Sequence, residues 1–362
     1  MVISKGSRIA LAAVLTAGII GVSSSNCAAE AVTVGQPTNI TIGGAYFTAA
    51  MELGFFKEEN IEPTRQEFQG GAVAITQVAT KAITIGWSGP DPLILSHQPG
   101  RDPLPLKFFY NGFRDYVWEW VVPQDSPIKS LSDLKGKKIG VGALANSHMP
   151  ISKLILKEKG FELNKDYTFT PVGIGGPGFR ALIQGEVDIY NTWDTNIAGF
   201  EAKGTKLRHL PLDDRFKNLF SIGYLAHEDT IKTKPELLAR FGRAVAKGTI
   251  ACGLAVEWCV KTFWKYHPNL KPREGTEAEI LADQTYTLTV GLKTMFAFPP
   301  GQPRKFGEFP AGSWKNFVDT LYEGGELKSK DIDLNKLYTN EFVAAINQFD
   351  NEKVEALART LK

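Results

Sequence analysis

Cysteine is nearly absent from this chain: Cys27, Cys252 and Cys259 are the only three in 362 residues. So sparse a set excludes a disulfide framework or a cysteine-rich metal cluster. Histidine is scarce as well. His97, His148, His209, His227 and His267 show neither HExxH nor Cys–His spacing, which excludes a metal centre built on those motifs. No charge of one sign dominates, with 41 Lys and Arg against 39 Asp and Glu. That balance argues against a nucleic-acid partner. Beyond the first 29 residues no apolar run reaches membrane-spanning length, and no low-complexity tract occurs.

What is present begins with an export signal. Lys5 and Arg8 precede an apolar run from Ile9 to Val22, and Cys27-Ala28-Ala29 offers small residues before Glu30. The pattern predicts a signal peptide over residues 1–29. Its removal would leave 39 cations and 39 acids. Cys27 is an alternative lipid attachment point, although Ser24-Ser25-Asn26 lacks the usual aliphatic residue before it. Cys252 and Cys259 lie in a helical pattern, which separates them by about 10.5 Å along the axis. A disulfide needs α-carbons within about 7 Å, so two buried free thiols are expected.

The remaining residues carry a strand–loop–helix–strand–loop–helix–strand pattern twice. In the first copy, strands are expected at Asn39–Ile42, around Pro63–Phe68 and at Ile83–Trp87. The second places them at Lys138–Val141, Tyr167–Val172 and Val187–Tyr190. Two such βαβαβ units predict an α/β fold of two lobes. Each lobe would be a mainly parallel sheet flanked by helices, joined by two hinge crossings at Tyr116–Val122 and Leu219–Ala226. Lobe I is then 30–123 with 221–362, and lobe II is 124–220. After Pro235 the chain reads as mainly helical, interrupted by a proline-rich loop from Pro299 to Pro310 docked through Phe306 and Phe309.

Candidate chemistry points to capture of a molecule and not to its conversion. Gly173–Gly178 matches GxGxxG, but the strand after it ends in Tyr190-Asn191 instead of an acid, so a tight turn bringing backbone to the cleft is the better reading. Gly86–Pro90 approaches the nucleophile elbow GxSxG, yet Pro90 replaces its last glycine. Trp87-Ser88 and Trp193-Asp194 follow equivalent strands, so two indoles are expected to face one cleft. Tyr46 and Phe47 add aromatic surface from the first loop. Ser147 and His148 stand at a predicted helix start, where they would seat an anion or simply cap the helix. Asn111 and Arg114 lie near the first crossing, Arg114 as a neutraliser of an acidic ligand or as half of a surface ion pair.

These residues resemble a known family at Ala50–Phe56, Ser126–Val141, Ala181–Asp188 and Trp193-Asp194. The chain is similar to the periplasmic substrate-binding proteins of ABC importers for taurine, alkanesulfonates and nitrate, whose relatives bind thiamine pyrimidine precursors. The resemblance implies a type 2 periplasmic-binding-protein fold, a periplasmic monomer without cofactor, and no enzymatic activity. It also implies a small-molecule ligand, and an ABC permease with its ATPase as partners, the permease being the route to the membrane. Tyr46, Phe47, Trp87, Ser88, Ser147, His148, Trp193 and Asp194 are the ligand contacts expected on that basis, and Asn111 is expected to join them from its place near the first crossing. Two alternatives remain in this reading: a ligand sensor for a membrane receptor, and an enzyme related to the pyridoxal-phosphate-dependent pyrimidine synthase.

Overall fold

The computed structural model describes residues 1–2 and 28–362. Most of the expected export signal, residues 3–27 with Cys27, lies outside the described residues. Ten strands form in chain order: β1 Glu30–Gln36, β2 Ile61–Glu67, β3 Ile85–Ser88, β4 Leu106–Phe113, β5 Trp118–Pro123, β6 Lys137–Val141, β7 Tyr167–Pro171, β8 Ile189–Trp193, β9 Leu207–His209 and β10 Ile222–His227. They build two separate five-stranded sheets, ordered β2-β1-β3-β10-β4 and β7-β6-β8-β5-β9. In each sheet three strands pair in parallel, and the returning chain adds antiparallel pairing through β10 in the first and β5 in the second. The expected two-lobed α/β architecture is the one observed.

Three expectations are corrected. The first strand is β1 and not Asn39–Ile42: Val32 and Val34 are buried in the sheet, and Pro37, lacking an N–H, follows its last residue. Residues 37–41 therefore form the loop after the strand, followed by a short 3-10 turn at Ile42–Gly44. The crossings also move. Trp118–Pro123 pairs in the second sheet and Ile222–His227 in the first, so the chain changes sheet between Phe113 and Trp118 and again between His209 and Ile222. Residues 118–123, assigned to lobe I by sequence, lie in the second sheet.

The third correction concerns Cys252 and Cys259, which are joined by a disulfide with α-carbons 5.5 Å apart. The helix Pro235–Leu254 stops there, and Ala255, at φ −134° and ψ 60°, turns the chain into a second helix, Val256–Tyr266. That bend removes the continuous helix on which the 10.5 Å spacing depended. Both sulfurs are fully buried in the core of the first lobe.

The C-terminal part contributes more than support for lobe I. Trp314, Phe317 and Leu321 on the helix Ser313–Glu323 share one apolar cluster with Ile151, Leu154 and Ile155 of the second lobe and with Leu93 and Phe108 of the first. Phe306 and Phe309 are buried, as the proline-rich loop required. Among the described residues no helix is long and apolar enough to cross a membrane.

Candidate functional site

Loops at the C-terminal ends of β1, β3, β6 and β8 converge on a cleft of about 820 Å³, counting space open to solvent. From the first lobe come Gln36–Thr41, Gly43, Gly44, Tyr46, Arg65, Gly71, Trp87 and Phe113; from the second, Trp118, Asn146, Ser147 and Trp193–Thr195. The lobes touch on both flanks of this space. On one flank Gly89 N–H donates to Ser147 Oγ at 3.1 Å and Ala72 N–H to the Ala145 carbonyl at 3.2 Å. A Cβ at Gly71 would lie 2.5 Å from Ser88 Oγ and 3.0 Å from Ser147 Cβ, so only glycine permits this approach. On the other flank Thr294 Oγ1 donates to Asp194 Oδ2 at 3.1 Å.

The aromatic walls are set by strand register. Tyr224 of β10 lies opposite Trp87 of β3, with ring centroids 4.4 Å apart. Trp118 of β5 lies opposite Trp193 of β8, 5.8 Å apart and edge to face. Tyr46, in the first turn of the helix Ala45–Glu52, shares a 2.9 Å hydrogen bond with the Tyr224 hydroxyl. Burial pushes its phenol up to about 12, so it stays protonated. Burial also raises the Asp194 carboxyl to about 7, against the Thr195 N–H at 2.6 Å and the Thr294 hydroxyl, which both favour its charged form.

Of the nine residues singled out from sequence, Tyr46, Trp87, Ser147, Trp193 and Asp194 line the cleft. The other four do not. Phe47 points into the core against Phe56, 4.8 Å away. Ser88 is fully buried and donates to the Gly89 carbonyl. Asn111 turns from the cleft and donates to the Glu308 carbonyl at 3.3 Å. His148 lies behind the wall, stacked on Trp118 at 3.5 Å. Its Nε2 is 3.1 Å from Asn191 Oδ1; that oxygen can only accept, so Nε2 carries the proton. Burial drops His148 to about 3, which makes it a neutral strut and no anion donor.

Arg114 is also reassigned. Its guanidinium is buried and donates to the carbonyls of Ala297 and Glu308, holding the proline-rich loop and not a surface acid. The Gly173–Gly178 turn packs on its own lobe, with Tyr190 Oη donating to the Gly173 carbonyl at 2.7 Å, and it does not border the cleft. Sequence reasoning missed Trp118, Arg65 and the Gln36–Thr41 rim. The rim was legible in principle, because Pro37 marks the end of β1.

A family model described as NMT1/THI5 like matches residues 42–253, more than half of the chain and most of both cleft walls. The chain belongs to the NMT1/THI5-like family. Solved structures share the fold of this NMT1/THI5-like protein. A protein from Bordetella bronchiseptica RB50 superposes with a TM-score of 0.68 at 21% identity, covering 88% of this chain and 97% of its own. The alkanesulfonate-binding protein SsuA from Xanthomonas axonopodis pv. citri, solved with MOPS bound, gives 0.61 at 16% identity, covering 85% and 98%. The periplasmic aliphatic sulphonate binding protein SsuA from Escherichia coli gives 0.57 at 20%, covering 85% and 91%. A curated relative, the ATP phosphoribosyltransferase of Thermodesulfovibrio yellowstonii, is 29% identical over 126 residues, 35% of this NMT1/THI5-like chain. The match spans about two fifths of that enzyme, 38% of its length.

Proposed function

We propose that this protein captures a small organic molecule, anionic with an aromatic or alkyl body, between its two lobes and delivers it to an ABC importer. One observation carries the reading: indoles held by two different sheets, Trp87 from the first and Trp118 and Trp193 from the second, border a single cleft. A molecule lying there touches both lobes at once, so its binding energy favours the state in which they meet. Solute-binding proteins with the same fold, the two SsuA structures, support this role. The segments 114–117 and 210–221 would absorb the φ/ψ changes of opening. Tyr46, Trp87, Ser147, Trp193 and Asp194 are the contacts this reading retains from the sequence, and it assigns none of them covalent chemistry. Secretion to the periplasm, with or without a lipid on Cys27, and a permease with its ATPase as partner belong to the same proposal.

Native mass spectrometry of protein purified without refolding tests capture. A discrete small molecule should leave with the folded protein and be lost on unfolding. Uptake of that molecule by cells lacking the protein tests delivery, with a loss of uptake expected. Protein that carries nothing and shifts with no offered solute overturns capture, and unchanged uptake overturns delivery.

A further inference from the structure

The cleft contains one cation, Arg65, among its described lining residues. It projects from β2, in the Pro63–Glu67 stretch, where nothing in the sequence marks a site. Its guanidinium carbon stands 5.0 Å over the Phe47 ring. A Cβ on Gly44 would come within 3.0 Å of Nη1, so the absence of a side chain there makes room for the fork. Nη2 donates to Nε2 of His267 at 2.8 Å; because arginine has no acceptor, His267 is neutral and protonated on Nδ1. This is the one side-chain hydrogen bond that Arg65 makes among the described residues, out of five N–H donors.

No carboxylate among the described residues forms an ion pair with this guanidinium. The nearby acid, Glu67, already accepts from the Ile40 N–H at 2.7 Å. Arg65 is half-buried; that burial opposes its charge, and a partly desolvated cation without a counter-charge is costly. Asp194, the one carboxylate among the described lining residues, sits across the cleft and is held protonated up to about 7 by its own burial. A ligand anion would therefore meet unused N–H donors on one side and, below about pH 7, a mostly protonated acid on the other.

We propose that Arg65 is the anion seat of the cleft, a specificity-determining residue that selects ligands with one terminal oxyanion, carboxylate or sulfonate, and that His267 and Phe47 orient its fork. Guanidinium offers paired N–H donors to two oxygens of either head group, a geometry that lysine does not reproduce. This rests on the capture reading above but can fail separately from it.

The test is calorimetric titration of wild type, Arg65→Met and Arg65→Lys with benzoate, benzenesulfonate, hexanoate and hexanesulfonate, and with the neutral amide of each. At least one oxyanion should bind wild type ten-fold or more tightly than its amide, and the carboxylate and sulfonate arms show which head group the fork prefers. Arg65→Met should weaken that oxyanion at least thirty-fold while leaving its amide within three-fold, and Arg65→Lys should recover part of the loss. Should the Met variant not fold, the wild-type oxyanion-to-amide ratio and the Lys variant decide alone. Amides binding as tightly as oxyanions, or oxyanion affinity unchanged in the variants, overturns the anion seat and leaves capture standing. No binding by any of the eight compounds overturns the anion seat, and capture is then decided by native mass spectrometry.

Discussion

Trp87-Ser88 and Trp193-Asp194 end equivalent strands of the two repeats, yet the fold uses them differently. Trp87 is only 6% exposed, wedged between Tyr224 and Phe113 at 4.4 and 5.5 Å. A Cβ at Gly112 would collide with its indole. Trp193 is half-buried, with its edge contact to Trp118 and one face towards the cleft. Ser88 is sealed inside its lobe, whereas Asp194 reaches across to Thr294 in the other. The neighbouring strand explains the split. β10 lies between β3 and β4 and packs rings around Trp87, while the ring stacked behind Trp118 is His148 and not a further wall around Trp193. Related sequence positions thus yield a tightly packed wall of the cleft in one lobe and a more exposed indole in the other.

Substituting each member of the pair breaks the comparison most directly. Trp87→Ala should cost about 3–5 kcal/mol of folding stability, the range for deleting a large buried aromatic, read by urea denaturation. Asp194 should separate from Ser88 by pH. Its carboxyl ionises near 3.8 in an unfolded chain but near 7 when folded. The folded state therefore binds the extra proton between those values, and stability falls as pH rises from about 4 to about 7. At about 1.4 kcal/mol per pH unit the loss is at most about 4 kcal/mol. Asp194→Asn should remove this decline from the pH–stability curve, and a curve that keeps its slope would show that the carboxyl does not titrate there.

Trp193→Ala should leave folding nearly intact while weakening solute capture by about 1–3 kcal/mol, measured by calorimetry on the co-purifying molecule. Equal losses of stability in Trp87→Ala and Trp193→Ala would erase the proposed division. The smallest effect is expected from Ser147→Ala, which deprives the Gly89 N–H of its acceptor. About 1 kcal/mol less support for the contact between lobes should appear in small-angle scattering as a larger mean radius without solute.

Much of this architecture is readable from residues because its signals are local. β3, β6 and β7 announce themselves by extended stretches ending at glycine or proline loops, the polar β2 by its place before Gly70-Gly71, and the helices starting at Gly71 and Met149 follow such loops. The paired indoles were legible for the same reason, as both sit at strand ends. Direction was not legible. Tyr46 and Phe47 are neighbours on one helix, so one faces the cleft and the other the core, and only packing decides which. Arg65 stands in a polar stretch that reads as surface until Gly44, Phe47 and His267 surround it. Gly253 stands two residues before the bend at Ala255, but a lone glycine is tolerated in a helix and no proline marks the break, so a continuous helix was the natural reading.

The Cys252–Cys259 bridge carries a chemical prerequisite. Forming it withdraws two electrons from the polypeptide, which thiol-rich surroundings would return. An oxidising destination is where such a clamp persists. The elbow between two helices of the first lobe therefore ties completion of the molecule to the compartment in which it matures.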